Sequence, residues 1–392
     1  MKKLLLSLFL LGGFLLSFST IDKAFAAEEE VIQGWLKEDG NWYFYDKNGN
    51  KLYGKTYIDG KIYYFDNDTG AMITGSWIEE SYYDDYFETT FVDWYYANSN
   101  GELKVNTWYL ENGKWYYFDE DGVMVTGIRG IGNKYYFFDY NTGVMKTGWI
   151  KDTYEYGDTI EEYWFYANSN GELYLDKWLK SGSNWYYFTP WGEMATGFEV
   201  IGDKTYYFDT KTGAMKTGWF KETYHYEDTP VVEWYYASSS GEIYIDKWLK
   251  DGSNWYYFNS WGEMETGPNK INGKLYLFKE NGALANAGWQ SYKGDWYYTN
   301  KDGIAYTGWK QINGTWYYLN EFNGAMYTGV LNLDGKLFYL NENGSWNTKQ
   351  GWVEDKDGNW FYVNGNGTLK TGWAQIGGIW YYFNPSGGEL LY

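Results

Sequence analysis

Any binding chemistry in this chain would rest on tryptophan. Pairs of tryptophans recur seven residues apart, at Trp108 and Trp115, Trp178 and Trp185, Trp248 and Trp255, Trp289 and Trp296, and Trp309 and Trp316. Indole faces held at a fixed spacing can wall a box around a quaternary ammonium, with each cation–π contact worth about 0.5–2 kcal/mol. The formal net charge of −20 favours a cationic ligand in the same way. The competing reading makes every ring core filler. Against it, other copies of the pattern carry Ile62, Thr205, Leu275 and Leu337 at the second position, so a core here does not need tryptophan.

Composition removes most other chemistry. The 392 residues include no cysteine and one histidine, His225. Disulfide scaffolds, cysteine zinc sites and triads or metal centres that need several histidines are excluded. With 44% hydrophobic residues the chain can bury a core, and four prolines do not make a collagen. The acidic balance argues against a nucleic-acid partner, which calls for a basic patch.

Lys2 and Lys3 precede an apolar run from Leu4 to Phe18, and Ala24-Phe25-Ala26 follows. A basic start, a short apolar stretch and an A-x-A site predict a secretory signal peptide over 1–26, followed by a short linker over 27–33. Nothing later reads as a membrane span, so the protein is expected outside the cell, at the surface.

The remainder, 34–392, is one repeat. Gly308-Trp309-Lys-Gln-Ile-Asn-Gly314-Thr-Trp316-Tyr-Tyr-Leu, a polar turn and Gly324-Ala-Met326-Tyr-Thr-Gly329 show the unit, and about sixteen complete or partial copies follow one another. A 70-residue super-repeat spans 77–288. Each of its blocks holds a long unit of about 30 residues (starting at Trp77, Trp149 and Trp219) and two short ones of about 20. Trp-Tyr-Tyr-Phe favours a strand. The expected hairpin pairs it with the run that ends in Thr-Gly, across an Asp/Asn-x-x-Gly turn, and G-W-x4-G connects one hairpin to the next. Alternation sends Trp316 and Tyr318 to one face and Tyr317 and Leu319 to the other. Two apolar faces require neighbours on both sides, because a lone hairpin is marginal in water. The predicted fold is an all-β, elongated β-solenoid of stacked hairpins, with no room for a catalytic domain.

The pattern G-W-x4-G-x-W-Y-Y-F…G-x-M-x-T-G resembles the choline-binding, or cell-wall-binding, repeat of Gram-positive surface proteins and murein hydrolases, over essentially the whole mature chain. The resemblance implies a left-handed solenoid. Choline of teichoic and lipoteichoic acids would sit between units, caged by two Trp of one unit and a Tyr of the next, often with a Met. Carried over, Trp108, Trp115 and Met124 would face Tyr136. Trp178, Trp185 and Met194 would face Tyr206, and Trp248, Trp255 and Met264 would face Tyr276. Trp289 and Trp296 would face Tyr317, with Ala305 where Met is expected, and Trp309, Trp316 and Met326 would meet Phe338. Trp35 and Trp42 with Tyr63, and Trp352 and Trp360 with Tyr381, would lack the Met. Trp373 and Trp380 have no following unit. The Trp-poor units near Lys55, Ile128, Phe198, Pro268 and Val330 cannot supply a pair.

The implied role is a non-catalytic wall-binding protein without a cofactor. Its expected partner is choline-bearing teichoic or lipoteichoic acid, and an end-to-end homodimer is a further expectation. Long units mixed with Trp-poor ones also resemble the carbohydrate-binding repeats of clostridial toxins and the glucan-binding repeats of glucosyltransferases, so a cell-wall glycan or glucan is the alternative ligand. The acidic inserts (Glu79, Glu80, Asp84, Asp85, Glu161, Glu162) offer oxygen ligands for Ca²⁺ but lack a D-x-D-x-D-G loop, so they read as solvated hairpins. His225 lies in such an insert and reads as incidental.

Overall fold

The computed structural model describes residues 32–156 and 159–392, the side chains of 155 and 156 excepted. The expected signal peptide lies outside the described residues, as does most of the linker. All the described regular structure is strand. Thirty-two strands, from Gly34–Glu38 to Ile379–Phe383, form sixteen two-stranded sheets, each made of consecutive strands.

The hairpin differs from the expected one. Its two strands are the G-W-x-x-x run and the x-W-Y-Y-F run, as in Lys177–Ser181 paired with Asn184–Phe188. What was expected to be a connector is the first strand. The reason is the two-residue loop, where Asn112-Gly113, Asp59-Gly60 and Asn313-Gly314 all adopt positive φ. That is a turn whose twist matches the flanking strands. The Asp/Asn-x-x-Gly segment is instead a side-chain-capped bend. Asp119 Oδ1 accepts from the backbone N–H groups of Asp121 and Val123, at 3.1 and 2.9 Å. The Met segment beyond it makes a single bridge, Phe118 to Met124.

The expected alternation holds. The last residue of the second strand is fully buried in hairpin after hairpin, as at Phe65, Phe118, Phe188, Phe258 and Leu319. Each such side chain contributes about 1.5–3 kcal/mol by leaving water. Contacts divide the chain into two units. One runs to Ile150 and includes Ala167–Leu173; the other holds Lys151–Tyr166 and Tyr174–Tyr392. Within each unit, hairpins stack through backbone bonds from the segment after one hairpin to the second strand of the hairpin before it. Met145 N–H donates to Trp115 O in the first unit, and Met215 N–H to Trp185 O in the second, both at 2.8 Å. In the long hairpins Ser76–Asp84/Thr89–Ala97 and Gly218–Tyr226/Thr229–Ala237, both strands lengthen to nine residues. Asp84 Oδ1 closes the tip of the first by accepting from the N–H groups of Tyr86 and Phe87. His225 is exposed near the tip of the second, opposite Pro230.

Candidate aromatic cages

One hairpin face presents the Trp pair. Trp178 lies opposite Tyr187, and Trp185 opposite Lys180, so the two indoles are diagonal neighbours on one side of the sheet. Their centroids are 6.3 Å apart, with planes at 83°. The same edge-on arrangement recurs at Trp35/Trp42, Trp108/Trp115, Trp248/Trp255 and Trp352/Trp360, at 6.2–6.5 Å. Trp178 also lies 5.0 Å from Tyr206 of the next hairpin. Equivalent contacts join Trp35 to Tyr63, Trp108 to Tyr136, Trp248 to Tyr276, Trp289 to Tyr317 and Trp352 to Tyr381, all at 4.8–5.1 Å. Trp309 meets Phe338 at 5.4 Å. The structure therefore brings the first Trp of each of these predicted pairs to its predicted Tyr or Phe.

It does not bring the methionines where the sequence suggested. Met124 N–H donates to Trp94 O, Met194 to Trp164 O, Met264 to Trp234 O and Met326 to Trp296 O, at 2.7–2.8 Å. Each Met sits on the Trp pair of the preceding hairpin, because the segment carrying it turns back along that hairpin. The wall of the Trp108/Trp115 site is thus Met145, and that of Trp178/Trp185 is Met215. Ala305 N–H donates to Leu275 O at another interface, while Met326 serves Trp296. Trp35/Trp42 does have a Met, since Met72 N–H donates to Trp42 O. Leu284 takes the position beside Trp255, and Leu390 the one beside Trp360.

A third hairpin rims several of the boxes. The cavity at Trp108, Trp115, Tyr136 and Met145, of about 380 Å³, is rimmed by Ser169 and Asn170. The cavity at Trp178, Trp185, Tyr206 and Met215, of about 430 Å³, is rimmed by Ser239 and Ser240. The turn glycine beside the rim lies directly against that wall. At Gly241, with φ +86°, a Cβ would lie 2.2 Å from Met215 Sδ.

The long hairpins supply sites that sequence spacing concealed. Trp219 and Trp234 are fifteen residues apart in sequence, yet their rings stand 6.5 Å apart. Trp219 reaches Tyr256 at 4.8 Å, and Met264, Glu280 and Asn281 complete a cavity of about 260 Å³. Trp77 likewise reaches Tyr116 at 5.0 Å, with Met124 on Trp94. Lengthening both strands by four residues preserves the register, since Lys221 opposes Trp234 as Lys180 opposes Trp185. Strand opposition would have revealed these pairs; a fixed spacing of seven could not. At one predicted site a tryptophan takes the methionine's place, Trp346 N–H donating to Trp316 O at 2.8 Å. Trp346 packs 5.2 Å from Trp309 and donates its Nε1–H to Gly367 O. Trp373 and Trp380 stay 60% and 58% exposed.

The sites are electron-rich and flanked by acids. Glu111 accepts from Trp77 Nε1, and Asp251 from Trp219 Nε1, both at 2.9 Å. Burial first, then Glu111, raises the Tyr116 hydroxyl above its usual range. Ammonium groups already lie on these rings, with Lys180 Nζ 5.7 Å from the Trp185 centroid and Lys250 Nζ 5.8 Å from Trp255. A wider cavity of about 570 Å³, beside Trp164 and Met194, is lined by Glu162, Glu193, Glu199 and Lys211. Among the described residues no group of three or more acidic or histidine side chains is placed to hold a metal ion.

Comparison with known proteins places these repeats. The choline-binding repeat profile matches residues 32–77, 111–149, 175–220, 195–248 and 286–330, and the cell wall binding repeat profile matches 93–103, 246–264, 350–369 and 371–388. Glucosyltransferase-S of Streptococcus mutans is 31% identical over 280 residues, which are 67% of this chain and 16% of that protein. Glucosyltransferase-I of Streptococcus downei is 26% identical over 68% of this chain and 15% of its own length. The chain thus spans about a sixth of these relatives. Among solved structures, CbpJ of Streptococcus pneumoniae is 28% identical with a TM-score of 0.38, over 80% of this chain and 99% of that one. Choline binding protein F of the same species is 27% identical with a TM-score of 0.32, over 87% and 100%. With more than half of its residues matched by the repeat profile, the chain belongs to the choline-binding repeat family of cell-wall-binding modules.

Proposed function

We propose that this is an exported, non-catalytic protein, with residues 1–26 its signal peptide, that attaches to the cell wall by holding choline of teichoic or lipoteichoic acids between successive hairpins. The observation that carries the reading is the repeated open box of two perpendicular indoles, a tyrosine and a methionine. A trimethylammonium group has no hydrogen to donate, so a polar pocket cannot recognise it; π faces and a polarisable sulfur can. Acids at the rim add attraction without contact.

The test is retention on a tertiary-amine resin with release by free choline. Passage through the resin, with tryptophan fluorescence unmoved by choline, would reject the reading. A second reading, glycan binding, is supported by the 31% identity to a glucosyltransferase. Retention on dextran together with no response to choline would favour it.

A further inference from the structure

We propose that the array carries a second binding surface, separate from the cages, for an uncharged linear polysaccharide, built from Trp191, Trp261 and Phe322. These rings are 83%, 78% and 93% exposed. Scattered exposed hydrophobics need no explanation, but these three occupy one position. Each stands at the tip of the capped bend that follows a hairpin, where other repeats place Asn100, Asp121, Asn170, Asp302 or Asn343. Each belongs to every third hairpin, those ending at Phe188, Phe258 and Leu319. The bend holds the ring in place. Asn259 Oδ1 accepts from Trp261 N–H at 2.9 Å, Asn320 Oδ1 accepts from Phe322 N–H at 2.8 Å, and Pro190 precedes Trp191.

On the side of the bend glycines their neighbours are interfaces without cages. The bend glycines lie against Phe165 (Gly192), Ile243 (Gly262) and Leu275 (Gly324), side chains of the interfaces without a Trp pair. No ring there joins a box, so each offers an open face and not an enclosure. A regularly repeated face fits a partner that itself repeats. Its charge can be argued too. Glu193, Glu263 and Glu321 lie within two residues of the three rings, on a chain of net charge −20. Nucleic acid and anionic lipid are repelled by such a surface. The apolar C–H face of a sugar ring stacks on an aromatic face, and its hydroxyls can donate to the adjacent carboxylates. Three weak contacts on one polymer then multiply.

The test is native affinity electrophoresis of the full chain in gels containing dextran or hydroxyethyl cellulose. The expected result is retardation in at least one. In the triple variant Trp191→Ala, Trp261→Ala, Phe322→Ala it should weaken by about 100-fold or more, with intermediate losses in the single variants. Far-ultraviolet circular dichroism and the response to choline should be unchanged, since these rings touch neither core nor cage. A wild-type chain that neither polymer retards, a triple variant retarded like the wild type, or retardation only by poly-lysine would each overturn the proposal. Failure of the cage reading shows separately, as absence of any choline response.

Discussion

The interface that follows Trp178 and Trp185 and the one that follows Phe198 and Thr205 share a backbone and differ in what fills it. Met215 N–H donates to Trp185 O and Ile243 N–H to Thr205 O, each at 2.8 Å. In the first, Trp185 stays 41% exposed at the mouth of an open cavity. In the second, Tyr235 and Ile243 are 2% and 4% exposed in a closed cluster with Tyr207 and Phe220. Leu103 on Ile62, Ala305 on Leu275 and Leu369 on Leu337 repeat the closed type, which recurs at every third hairpin. Ion pairs tie some of these closed interfaces, as in Lys204–Glu242 at 3.3 Å, though exposed pairs of this kind add only about 0–1 kcal/mol. One scaffold thus serves two ends, with closed interfaces for stability and open ones left for a ligand.

The sharpest break of that division is Tyr235→Ala. It removes a buried ring from a closed interface and should cost about 3–5 kcal/mol in urea unfolding, with the number of bound choline molecules unchanged. Gly241→Ala comes next. Positive φ and the clash with Met215 should cost about 1–2 kcal/mol and weaken one cage, as read by thermal unfolding and choline titration. Trp185→Ala should cost only about 1 kcal/mol yet remove one choline from the stoichiometry. If it destabilised as much as Tyr235→Ala and left the count intact, Trp185 would be filler.

The smallest effect is a pH dependence in the bends. Lys146, 2.7 Å away, and then Thr142 hold the Asp139 carboxyl down at about 2. Because that value lies below the unfolded one near 3.8, the contribution is present above pH ~4 and is lost as pH falls through about 2. The Lys146→Met variant should flatten that part of a melting-temperature profile; an unchanged profile would show that the pair contributes nothing.

Much of this was legible in the sequence, because a repeat displays its own rules. The two-faced Trp-Tyr-Tyr-Phe strand demanded neighbours on both sides, and the Trp-to-Tyr pairing came from the resemblance to the choline-binding repeat. What was not legible depended on strand opposition. Asp-Gly and Asn-Gly between G-W and W-Y-Y-F marked the true hairpin turn, yet the more frequent Asp/Asn-x-x-Gly looked equally turn-like. Met124 is close to Trp115 along the chain, but the backbone delivers it to Trp94. Trp219 and Trp234 look unrelated until both strands are seen to lengthen together.

The most direct test of the account is a calorimetric titration of the full chain with choline. Boxes that set a tryptophan on a tyrosine of the next hairpin include those at Trp35, Trp77, Trp108, Trp178, Trp219, Trp248, Trp289 and Trp352, while Trp309 meets Phe338 and Trp346 instead. The predicted stoichiometry is at least eight, falling by one in Trp219→Ala as in Trp185→Ala, with weak affinity per site as expected of a few cation–π contacts. Absence of binding heat, or a stoichiometry that neither substitution changes, would contradict it.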